Sequence, residues 1–133
     1  MGLASFSAIL EFAVGEESKA SAFMAPLIQS SGAPNSELFK KIHSEFEKNR
    51  KSLQMILQEN VTEMVMEPCE NIDETSYALA PGLKADETGL AALLEKQVAF
   101  FKSASNSINL KEVKRVFDKM AERKLSLIGE LKK

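Results

Sequence analysis

The stretch VFDKMAERKLSL, residues 116–127, sets the register from which the rest of the chain can be read. Val113, Phe117, Met120, Lys124, Leu127 and Leu131 advance by four and three residues, the recurrence of one face of a helix. One member of that face is a lysine. Working outward, Phe39, Ile42, Phe46, Asn49, Leu53 and Ile56 keep the same alternation, with Asn49 as the polar exception. A third stripe, Phe6, Leu10, Ala13, Ala20, Met24 and Leu27, is interrupted by Glu17 where its next member is due. The fourth comprises Leu94, Val98, Phe101, Ser105 and Ile108, with Glu95 on its edge.

Breaks between the stripes divide the chain. SSGAPNS at 30–36 ends the first helix with Gly32 and Pro34, and Asn35 or Ser36 can cap the second. Pro26 is expected to kink or fray the end of helix one. MEPCENIDETSYALAPGLKA, residues 66–85, has two prolines, acidic residues and little periodicity, and reads as a linker. Asp86 can cap the third helix, and Asn109 with Glu112 has capping-box spacing for the fourth. The pattern predicts helices at about 4–30, 36–66, 87–107 and 110–131, with a crossover at about 67–86, in a single domain 1–133. Short links make antiparallel helical hairpins, while ~20 residues suffice to travel the length of a bundle. The expected fold is therefore all-α, a ferritin-like four-helix bundle of two hairpins joined by a long crossover.

Composition narrows the function classes. The 133 residues carry 17 Lys and Arg against 19 Asp and Glu, without a separate basic block, so nucleic acid is not an expected partner. Cys69 is the sole cysteine, which excludes an intrachain disulfide or thiolate cluster and fits a cytoplasmic setting. No signal-peptide pattern or membrane-spanning run is present, so no membrane association is expected. A lone histidine, His43, with no placeable partner gives no hydrolase signal, and no glycine-rich phosphate loop occurs.

An internal correspondence adds to this. Glu17, Ala20 and Phe23 align with Glu95, Val98 and Phe101, and Phe39, Ile42 and Leu53 with Phe117, Met120 and Leu131, all at an offset of 78 residues. Two helix pairs at one offset suggest a duplicated hairpin.

These residues resemble the rubrerythrin-like branch of the ferritin-like diiron carboxylate proteins. AVGEESKASAF at 13–23 is similar to the family's first-helix motif, with Glu17 at a ligand position, and EKQVAFF at 95–101 is its third-helix counterpart, with Glu95 as the second carboxylate. LFKKIHSEFEKNRKSL and VFDKMAERKLSL keep the Phe and apolar anchors of helices two and four. The family's Glu-x-x-His ligands fall, however, on Phe46 and Asn49 and on Lys124 and Leu127. A frame shifted by one residue offers Glu47 and Arg50 but displaces Phe39 and Leu53 from their anchors. The resemblance thus implies a relict site, Glu17, Phe46, Asn49, Glu95, Lys124 and Leu127, in which four of six ligands are replaced.

Glu17, Glu95 and Lys124 are then expected to converge, with the ammonium standing in for a metal and one carboxylate holding a proton or a bond from Asn49. The alternative at Lys124 is a stem packed among leucines with its ammonium snorkelling to the surface. The first functional expectation is a non-catalytic binding or scaffolding bundle without a cofactor, as a homodimer. The second is a metalloprotein in which Glu17, Glu95, Glu47 and His43 hold iron or manganese for peroxide or dioxygen reduction. A third, an interaction module unrelated to the family, calls for an ordered, apolar crossover and no facing carboxylates on helices one and three. No rubredoxin-type cysteine knuckle is present.

Overall fold

Each of the four stripes forms one helix, because a periodic apolar face gains its stability by packing against another. The computed structural model describes residues 3–30, 35–59, 68–72, 77–79, 83–84, 86–107 and 111–131. The order is β1 (Leu3–Ser5), α1 (Phe6–Ser30), α2 (Asn35–Glu59), β2 (Pro68–Ile72), α3 (Glu87–Ser107) and α4 (Lys111–Leu131). The fold is all-helical apart from the two short strands.

One helix end departs from expectation. Residues 4 and 5 belong to β1 rather than to the first helix, while α2 is described as far as Glu59. The predicted continuation over 60–66, the turn residues Gly32 and Pro34, and the cap at Asn109 lie outside the described residues. α1 runs through Pro26 to Ser30. Ala22 and Pro26 are both exposed, so water can bond the carbonyl that a proline four residues on leaves without a donor. Asp86 caps α3 as its position suggests: its Oδ1 accepts the Gly89 N–H at 2.8 Å. Gly89 is required there, since a Cβ would overlap the Lys84 carbonyl oxygen.

The crossover is not simply a linker. β2 lies within it and pairs antiparallel with β1, Leu3 opposite Ile72 and Ser5 opposite Pro68. Pairing between segments so far apart leaves no local periodicity in the sequence. Further along, Tyr77–Leu79 is fastened to two helices. The Leu79 N–H donates to Glu16 Oε1 of α1 at 2.6 Å, Lys96 Nζ of α3 donates to the Ala78 carbonyl at 3.1 Å, and the Tyr77 hydroxyl donates to Ser103 Oγ of α3 at 3.2 Å.

α1 packs chiefly along α2 and α3 along α4, with α2 also touching α4. The core is aliphatic and aromatic, and its rings form a continuous path: Tyr77 to Phe100 at 5.8 Å, Phe12 to Phe100 at 5.1 Å, Phe100 to Phe101 at 5.3 Å and Phe101 to Phe117 at 5.4 Å. Tilted and edge-on rings at such spacing add to the area they bury. Among the described residues, no helix is long and apolar enough to cross a membrane.

Candidate functional site

Lys124 is fully buried, and the rest of the site is built around its ammonium. It comes from the middle of α4, between the core residues Met120 and Leu127, so the helix register forces its stem inward. Its Nζ lies 2.8 Å from Glu17 Oε1 of α1 and donates to Gln97 Oε1 of α3 at 2.7 Å. The Phe46 ring of α2 lies 4.7 Å away and the Phe101 ring 5.6 Å away, both within cation–π range. All four helices therefore meet at one cation. A surface-seeking lysine is excluded by this burial.

Glu17 is 1% exposed, and its Oε1 forms a buried ion pair with the Lys124 ammonium. Lys124 and, more weakly, the buried Asn49 of α2 act on the Glu17 carboxylate by hydrogen bonding that favours its charged form. Burial pushes the Glu17 carboxyl above its usual 4.5, against the pull of Lys124, and the Glu45 charge pushes it further up. Burial also pushes Lys124 below its usual 10.5, against Glu17 and Glu45. Removal from water outweighs mutual attraction for both groups.

The relict site is assembled in part. Glu17, Phe46, Asn49, Lys124 and Leu127 are all buried, but Glu95 is exposed on α3. The expected convergence of Glu17, Glu95 and Lys124 is thus corrected. Two residues along a helix turn the side chain by about 200°, so with Gln97 facing inward Glu95 must face outward. The second carboxylate whose charge reaches the pair is Glu45, one turn before Asn49, which also meets Arg123 Nη1 at 3.5 Å. Gln97 and Glu45 were both missed from sequence. A signal for Gln97 exists: Leu90, Leu94, Gln97, Phe101 and Ala104 form an equally regular stripe and are all buried.

The alternative ligand set does not come together. His43 and Glu47 lie one turn apart on α2, half-buried: His43 Nε2 is 3.0 Å from Ser21 Oγ, and Glu47 pairs with Arg50 at 3.0 Å. The hydrogen bond from Arg50, aided by one from Ser21, holds the Glu47 carboxyl below its usual 4.5. Glu17 is engaged by Lys124 and Glu95 is exposed. Among the described residues, no group of three or more His, Cys, Asp or Glu side chains is placed to hold a metal ion. Against Glu17 and Glu45 the single ammonium leaves one negative charge in excess, met at Glu45 by Arg123, whereas iron or manganese needs several open oxygen or imidazole ligands.

A cavity of about 10 Å³ touches the site, lined in part by Glu17, Gln97 and Tyr77. That is room for about one water-sized sphere, not for a substrate. Comparison with known proteins found no matching family model, curated protein or solved structure.

Proposed function

We propose that this chain is a non-catalytic binding or scaffolding bundle, ferritin-like in topology and similar to the rubrerythrin-like proteins, in which an internal ion pair stands where those proteins hold metal. The observation that carries the reading is the position of the Lys124 ammonium, 2.8 Å from Glu17 in a fully buried setting. A covalent cation at that depth compensates the carboxylate without exchangeable metal and leaves no open coordination position for peroxide or dioxygen. Paired residues that run in opposite senses, Phe101 with Phe117 and Gln97 with Lys124, support the antiparallel arrangement of α3 and α4.

Two observations favour a second reading, an interaction bundle unrelated to the diiron proteins: Glu95 is exposed, and the crossover residues Tyr77–Leu79 are seated on α1 and α3. Both readings are non-catalytic. Metal analysis of protein purified from iron- and manganese-supplemented medium tests them together, with less than a tenth of an equivalent expected, roughly. Near-stoichiometric metal that disappears in Glu17→Ala would overturn both.

A further inference from the structure

Beside the ion pair lies a larger cavity of about 170 Å³, between α1, α3 and the crossover. Leu79, Leu83 and Leu93 give it apolar walls. Apolar cavities of roughly 150 Å³ take up benzene-sized molecules. The polar groups on its lining are Glu16, Tyr77, Lys96 and Gln97, and three of these also border the small cavity against Glu17.

The hydrogen bonds already made determine what those groups can offer. Gln97 commits its oxygen to Lys124, so its amide has N–H donors to give. Lys96 donates one N–H to the Ala78 carbonyl, and an ammonium has three. Glu16 is engaged on both oxygens, by the Leu79 N–H and by Lys19 at 3.1 Å. Its charge and that of Lys96 lie on the same lining and offset each other, so an anionic guest drawn to Lys96 meets repulsion from Glu16 and a cationic guest drawn to Glu16 meets repulsion from Lys96. A neutral acceptor meets neither.

We propose that this cavity binds a small uncharged ring compound bearing one carbonyl oxygen, with the ring against Leu79, Leu83 and Leu93 and the oxygen accepting from Lys96 and Gln97. The proposal rests on the binding reading above and specifies its ligand class. No covalent step is involved.

Cyclohexanone titrated into the full chain tests it. Tyr77 is the only tyrosine and the chain has no tryptophan, so tyrosine emission reports from the cavity wall itself. Amide NMR shifts at 77–79 and 92–97 provide a second readout. The expected result is a saturable response with a dissociation constant on the order of 1 mM or tighter. Cyclohexanecarboxylate at pH 7 should bind about tenfold more weakly or worse, and Lys96→Met should cost about tenfold. Ala92→Phe, at an exposed α3 position that borders the cavity, should abolish saturation while leaving the helical circular dichroism unchanged. A linear, non-saturating response, an equal response in folded Ala92→Phe, or tighter binding of the carboxylate would overturn the proposal. Metal analysis is independent of all three, so failure here and failure of the broader reading are distinguishable.

Discussion

α2 and α4 bury the same positions at an offset of 78 residues: Phe39 and Phe117, Ile42 and Met120, Phe46 and Lys124, Asn49 and Leu127. α1 and α3 do not, since Glu17 is buried whereas Glu95 is exposed. Between those two helices an offset of 81 matches better, setting Ile9 with Leu90, Ala13 with Leu94 and Glu16 with Gln97, all buried. The difference lies in how apolar each helix is. Polar residues surround the stripes of α2 and α4, so only one face can turn inward. α3 carries apolar side chains over much of its circumference, and two stripes compete. In such a helix the buried polar residue, Gln97, decides the register.

The largest effect should come from breaking the ion pair where α1 meets α4. Lys124→Met leaves a carboxylate uncompensated in the core and should cost about 3–5 kcal/mol in denaturant unfolding. Glu17→Leu should cost a similar amount for the opposite reason. The double variant Glu17→Leu, Lys124→Met should regain that loss and can exceed the parent by about 1–4 kcal/mol, because two desolvation penalties vanish together. Additive losses in the double variant would show that the two side chains act separately, and the convergence of the four helices on one cation would fail.

Gln97 should matter next, and it sharpens the contrast between the helices. Gln97→Leu removes the acceptor for Lys124 and should cost about 1–3 kcal/mol, since the ammonium then leaves one N–H unsatisfied. A cost below about 0.5 kcal/mol, the range of ordinary surface changes, would argue that α3 is rotated toward its other stripe.

How much of this was legible depended on the same distinction. Lys124 was visible as an intruder because its neighbours at 117, 120 and 127 left no other inward face. Glu17 was visible likewise. The Asp86 cap could be anticipated from a short acceptor before a periodic run. Gln97 was hidden by Val98 and Ser105, which also follow helical spacing and are also buried. Glu45 was hidden because its role depends on the distance between helices, and the β1–β2 pairing because it joins segments with no shared pattern. Local periodicity gives faces of helices; it does not give the rotation of one apolar helix against another.

The pH dependence tests the pair without relying on which helix moves. With the folded carboxyl of Glu17 raised above 4.5, the folded state binds more protons than the unfolded state between those two values, so stability rises as pH falls through that window. With Lys124 lowered below 10.5, the unfolded state holds the extra proton between the folded value and 10.5, so stability rises as pH climbs through that window. Relative to the Glu17→Leu, Lys124→Met variant, the parent should therefore be least favoured in the neutral range and gain toward both limits. Urea midpoints measured across pH 4 to 11, roughly, would show this, and a monotonic loss on acidification would mean that pairing outweighs burial at Glu17.

The smallest expected effect belongs to Glu95. As an exposed residue two positions before Gln97, it should tolerate Glu95→Gln within about 0.5 kcal/mol, although the matching offset from Glu17 marks it as a core carboxylate. Its charge should also leave the pH profile of the Glu17–Lys124 pair unmoved, since Glu45 is the outside carboxylate that acts on both members. Glu45→Gln should shift that profile instead, easing the upward push on Glu17. A shift with Glu95→Gln and none with Glu45→Gln would reverse the assignment and restore the 78-residue register to α1 and α3.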